Sequence, residues 1–187
     1  MNISLSKDPA SSTLYYPDHT NWDDLRFPAQ GVNPPGAVSD PSVNASDGTL
    51  AFEKNAVNMI AGVAQMPHGW QEGSYIDAHI HWQAADGNSG NHVWLFEYDI
   101  ANIKEDFAGS YVSLQKTFPS ESSALKHGIS SFGNIDMTGK KLSCIIKWRL
   151  SRLGDDAADT YDNDINLLEL DFHYQIGSVG SGEERSK

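Results

Sequence analysis

Cysteine is nearly missing from this sequence: Cys144 is the single one among 187 residues. That excludes an internal disulfide framework and any multi-cysteine zinc site. Bases are scarce as well, with 13 Lys and Arg against 25 Asp and Glu and a formal net charge of −12. A phosphate-binding surface depends on clustered Lys and Arg, so nucleic acid is not an expected partner. No run of about 18 apolar residues occurs, so no helical membrane span is expected. The stretch from Met1 to Ser12 lacks an apolar core of the secretory type, which argues against a signal peptide. There is no G-x-S-x-G elbow and no glycine-rich phosphate loop. No catalytic residue and no cofactor is expected.

What is present changes character along the chain. Six of the eight prolines (Pro9, Pro17, Pro28, Pro34, Pro35 and Pro41) fall near the N-terminus. Proline fixes φ and removes a backbone donor, which rules out a regular helix or a central strand there. Leu14, Tyr15, Tyr16, Trp22, Leu25 and Phe27 punctuate the same stretch, and disordered tails are usually poor in aromatics. The reading is an extended arm over 1–48 that docks through apolar anchors, on its own domain or on a neighbour. Residues 49–178 follow as the folded body, and 179–187 as a flexible tail.

Beyond residue 50 the hydrophobic period is two. Strands are expected at 50–54, 57–65, 74–83, 92–98, 110–118, 125–135, 141–153 and 165–176. The turn cluster Asp86 to Asn91 reads as the loop of a hairpin between the third and fourth. About eight strands without an amphipathic helix indicate an antiparallel β-sandwich, with a jelly-roll-like arrangement fitting the count best. Leu142, Cys144, Ile146, Trp148 and Leu150 form one core face, and Leu168, Leu170, Phe172 and Tyr174 another. Cys144 is therefore read as a small core hydrophobe rather than a reactive thiol.

Three constellations could carry chemistry. Gly73, five residues and then His79-Ile80-His81 match the opening of the cupin metal motif, but the glutamate expected shortly after is missing. Asp77, His79 and His81 share a strand face, as do Lys147 with Arg149, and Glu169, Asp171 and His173. With Glu97 placed on the strand paired to His79 and His81, the preferred reading is a polar ladder or subunit interface formed by His79, His81, Glu97, Arg149, Asp171 and His173, with no metal. The loop 155–164 has five carboxylates and no base. Oxygen-rich loops bind Ca2+, so Asp159, Asp162 and Asp164 are weak candidates for it, although the EF-hand spacing is absent. Among five tryptophans, Trp82 and Trp148 fall on core faces; an exposed Trp70 or Trp94 would support carbohydrate stacking.

Several blocks together carry a resemblance. They are Trp22-Asp-Asp-Leu-Arg-Phe-Pro28, Pro67-His-Gly-Trp-Gln-Glu-Gly73, Ala78-His-Ile-His-Trp82, Trp94-Leu-Phe-Glu-Tyr98, Trp148-Arg-Leu-Ser-Arg152, Asp159-Thr-Tyr161 and Asp171-Phe-His-Tyr174. From about residue 22 to 181 this ordered set resembles small β-sandwich virion proteins of tailed bacteriophages. The resemblance implies a non-enzymatic structural protein of the particle, made in the host cytoplasm. Its first implication is a capsid cement (decoration) protein on the capsid exterior, bridging major capsid proteins as a homo-oligomer, with a trimer favoured. Tyr15, Tyr16, Trp22, Leu25 and Phe27 would then be partner contacts. A receptor- or carbohydrate-binding protein of the tail or fibre is the alternative, and a cupin-like metalloenzyme the remaining one. The acidity is unevenly placed: the first fifty residues carry six acids and two bases, and the loop five acids. Arm and loop are thus where partners or cations are expected.

Overall fold

The computed structural model describes residues 6–7, 14–15, 21–32, 34, 36 and 39–180. Its strands are β1 (Ser6–Lys7), β2 (Leu14–Tyr15), β3 (Asn21–Pro28), β4 (Ser42–Val43), β5 (Leu50–Phe52), β6 (Val57–Gln65), β7 (Ile76–Ala84), β8 (Asn91–Ala101), β9 (Val112–Pro119), β10 (His127–Ile135), β11 (Ile145–Leu153) and β12 (Ile165–Ile176), with one 3-10 turn at Ala29–Gly31. All eight strands expected from the period-two pattern are present.

Two antiparallel sheets face each other. The first runs β10-β7-β12-β5-β4, with β3 also paired to β12; the second runs β6-β11-β8-β9. From β5 to β12 the chain alternates between the sheets, except that β8 and β9 are neighbours in the second. This is the double-sheet jelly roll. Among the described residues, β1 and β2 pair with each other as a separate two-stranded sheet.

The expected hairpin between the third and fourth strands does not form. β7 pairs with β10 and β12, whereas β8 pairs with β11 and β9. Asp86 to Gly90 therefore carries the chain from one sheet to the other. Ile76, Ala78, Ile80 and Trp82 face Trp94 and Phe96 through the shared core rather than beside them. An alternating strand buries the same residues in either arrangement, so the pattern could not separate them.

The expected boundary at residue 48 does not divide arm from sandwich. Asn21–Pro28 is a strand of the first sheet, in register with Glu169–Ile176 of β12. It lies on the sheet edge with Pro28 at its end, where the missing N–H breaks no ladder. β5 occupies the same edge of β12 at Ile165–Leu167. A bulge between Leu167 and Glu169 separates the two pairings and shifts the side-chain phase. Ile165 and Leu167 face the core before it, and Leu170, Phe172 and Tyr174 after it. The expected inward Leu168 is accordingly only half-buried.

Four of the five tryptophans, Trp70, Trp82, Trp94 and Trp148, are buried. Glycine makes room for two of them: a Cβ on Gly62 would come within 2.3 Å of the Trp148 ring, and one on Gly128 within 2.6 Å of Trp82. Cys144 is fully buried, and burial pushes its thiol up to about 11, as its core reading requires.

Candidate functional site

The outward face of the first sheet is built by strand alternation. With Ile76, Ala78, Ile80 and Trp82 turned inward, β7 presents Asp77, His79, His81 and Gln83 outward. Below the bulge, β12 presents Glu169, Asp171 and His173, and β3 presents Trp22, Asp24 and Arg26. Register sets the rows: Arg26, Asp171 and His79 lie side by side, as do Asp24, His173 and Asp77. β10 adds Ser131 opposite His79 and His127 opposite Gln83.

At one end stands an aromatic platform. The Trp22 indole stacks on His173 at 5.1 Å with the planes 8° apart, and Tyr75 leans on it at 5.5 Å. Tyr75 is 44% exposed. Towards the other end, Pro28, Gln83 and Leu168 belong to the lining of a shallow pocket of about 300 Å³, closed by Gln30 and Gly48. From Asp77 to Gln83 this face spans roughly 20 Å along the strand.

The polar middle is closely wired. His173 Nδ1 lies 2.6 Å from Asp24 Oδ1, and Ser131 donates to Asp77 Oδ2 at 2.6 Å. His79 Nδ1 faces Asp77 Oδ1 at 3.4 Å, and His81 Nδ1 lies 2.7 Å from His127 Nε2. Arg26 grips Glu169 through both its Nε and its terminal nitrogen. Burial alone would lower the His79 pKa, but the Asp77 and Asp171 carboxylates outweigh it and raise it. His81 is lowered by burial and by the neighbouring imidazoles of His79 and His127. The two acids of β12 diverge: the Arg26 hydrogen bond holds Glu169 low, while burial and the Glu169 charge push Asp171 up to about 8.

Of the expected ladder, His79, His81, Asp171 and His173 come together here. Glu97 and Arg149 do not. They pair with each other at 2.9 Å on β8 and β11 of the second sheet, because β7 and β8 are not sheet neighbours. The imidazoles also point away from the sandwich interior, whereas the cupin motif requires them to point inward. Leu25 and Phe27, expected as partner contacts, pack on the chain's own core, Phe27 edge-on to Trp148 and Phe172 at 5.5 and 5.9 Å. Tyr15 lies in β2, and Tyr16 is outside the described residues. Trp70 and Trp94, the tryptophans weighed for carbohydrate stacking, are buried, and half-buried Trp22 takes the outward-facing position instead.

The acidic loop is not an assembled Ca2+ site. Asp159 is buried against the Arg152 guanidinium, with two hydrogen bonds of 2.8 and 3.0 Å. Asp162 pairs with Lys54 Nζ, and Asp164 accepts from the Lys54 backbone N–H at 3.2 Å. The base that the loop itself lacks comes from β11. The signal was visible: Arg152 continues the core parity of Ile146, Trp148 and Leu150.

Comparison with known proteins gives only distant matches. No protein-family model matches the sequence, and no curated protein is similar to it. Some solved structures match it distantly. The isomalto-dextranase of Arthrobacter globiformis T6, complexed with panose, is 17% identical over 80% of this chain and 23% of its own, with a TM-score of 0.45. The CBM36-1 domain of a multidomain xylanase from the hindgut metagenome of Trinervitermes trinervoides is 11% identical over 80% of this chain and 96% of its own, at 0.44. TmCBM61, solved with β-1,4-galactotriose, is 15% identical over 84% of this chain and 88% of its own, at 0.34. This chain thus spans under a quarter of the first of them. None of the three is a phage capsid protein. Likenesses this distant carry no functional argument, which must rest on the outer face itself.

Proposed function

We propose that this protein is a non-enzymatic carbohydrate-binding β-sandwich whose ligand lies along the outer face of the first sheet. The observation that carries the reading is the outward-facing pair of half-buried Trp22 and exposed Tyr75 at the end of a row of hydrogen-bonding side chains. A sugar ring has an apolar C–H face and hydroxyl edges. An aromatic surface at the rim of a sheet matches the first. Carboxylates, imidazoles and a guanidinium match the second, since together they both accept and donate. Asp24, Asp77 and His173 supply such groups within one or two strand spacings of the indole, and Arg26 lies four residues further along β3. The roughly 20 Å path from the platform to the pocket at Gln83 suits a short oligosaccharide rather than one sugar.

Capsid cementing has less to support it. That reading makes Leu25 and Phe27 partner contacts, yet both are packed on their own core. The resemblance to tailed-phage virion proteins remains compatible with a glycan-binding part on a particle exterior, where such a module would serve attachment to a host surface.

A glycan array followed by titration of the best ligand tests the reading. Trp22→Ala is expected to weaken binding at least about tenfold, or 1.4 kcal/mol, whereas Trp70→Phe in the core leaves it unchanged. An array without hits, or full affinity in Trp22→Ala, overturns it.

A further inference from the structure

Next to the aromatic platform lies a set of groups that glycan recognition does not require. His81 Nε2 is 3.2 Å and His79 Nε2 3.7 Å from one oxygen, Asp171 Oδ2. The three residues can each place a ligand atom within 4.8 Å of the others, and among the described residues they form the one such group. Two ligands of a four-coordinate zinc-class ion, each at about 2.0–2.2 Å from it, stand roughly 3.3 Å apart. The observed separations are already close to that.

The rings are also oriented. Asp77 Oδ1 faces His79 Nδ1, and His127 Nε2 lies against His81 Nδ1, so each ring turns its Nε2 towards Asp171. Carboxylate or imidazole partners of this kind fix the tautomer and direction of metal-binding histidines. Asp171 itself has a 4% exposed side chain, and its Oδ1 is buried with no hydrogen-bond partner. The charges around it are Asp24, Asp77 and Glu169, against Arg26, which is committed to Glu169, and the imidazole of His79, which Asp77 shares. A buried carboxylate among other acids is costly unless a cation meets it.

We propose that His79, His81 and Asp171 bind one divalent transition-metal ion of the zinc class through their two Nε2 atoms and Oδ2, with Asp77 and His127 as positioning residues. Two imidazoles among three ligands select against Ca2+ and Mg2+, which take six or more oxygens. Three protein ligands leave a coordination position for an outside oxygen ligand, and the His81 side chain is 23% exposed. The site does not depend on the carbohydrate reading, since its probe is the metal alone and either property can be lost without the other.

Calorimetric titration of the metal-stripped full chain with Zn2+ is the test. One saturable site per chain is expected. Asp77→Asn should weaken it about 10- to 100-fold, His81→Gln and Asp171→Asn should weaken it further, and Glu105→Gln on an exposed loop should leave it unchanged. Should a variant fail to fold, ring-nitrogen NMR of the unaltered chain gives the answer: Zn2+ is expected to shift His79 and His81 and to leave His68 and His92 in place. Absent or non-stoichiometric binding overturns the proposal. So does binding that survives in folded His81→Gln and Asp171→Asn, or ring shifts confined to other histidines.

Discussion

Arg152 and Asp171 are both ionisable residues held almost wholly out of water, and the sandwich treats them in opposite ways. Arg152 has 0% side-chain exposure and is fully answered: Asp159 takes two of its hydrogen bonds, and the carbonyls of Phe52, Asn163 and Tyr161 take three more. That geometry closes the loop 155–164 onto β11 and β5. Asp171 lies among other acids, its Oδ1 unpartnered and the Arg26 guanidinium turned to Glu169. A satisfied buried charge specifies a fold. One left incompletely answered on a solvent-facing sheet stores a capacity to bind.

Breaking the first cluster should have the largest effect. Arg152→Met leaves Asp159 buried without its cation and should cost about 3–5 kcal/mol of stability, read by urea unfolding at neutral pH. A loss below about 1 kcal/mol would mean that the pair behaves like a surface salt bridge.

Acid probes the same end of the molecule. His92 is fully buried between Trp82, Trp94 and Phe118 and accepts from the Trp94 indole at Nδ1, so it must stay neutral there. Burial first, and then the Arg152 charge, lower its pKa to about 3. A base depressed in the folded state leaves stability intact above the unfolded value near 6.5, and stability is lost as pH falls from there towards 3. The expected loss is about 2 kcal/mol by pH 5. Unfolding curves at both pH values should show it, and His92→Gln should flatten the difference.

The smallest effect belongs to the second cluster. In the metal-free protein, Asp171→Asn removes a carboxylate that burial disfavours and supplies an amide able to donate to Glu169. Stability should stay unchanged or rise by up to about 1 kcal/mol. A loss comparable to that of Arg152→Met would erase the contrast between the two clusters.

The strands were legible because period-two alternation survives wherever one face is buried. Even Arg152 was marked by its parity, though a charged residue at a core position invites the reading that the strand has ended. Half of the candidate site was legible too, as Asp77-x-His79-x-His81 and Glu169-x-Asp171-x-His173 each keep one face. Asp24 and Arg26 were missed, and Trp22 was read as an arm contact rather than part of this face, because a proline-rich segment reads as an arm until β12 shows the edge it fills. Glu97 and Arg149 were misplaced for the opposite reason: a turn-rich link between two alternating strands reads as a hairpin.

By itself, the sequence determined the all-β class, the eight strand positions and which residues of most strands turn inward, since these follow from the chemistry of neighbouring residues along the chain. Tertiary structure alone decided which strands share a sheet, and with them that His79 meets Asp171 rather than Glu97. It also decided that the acidic loop is closed by Arg152 instead of left open to cations. The physical reason is that an apolar face is buried equally well beside a neighbour or across the core, so alternation cannot distinguish the two; only pairing register brings distant side chains to within bonding distance.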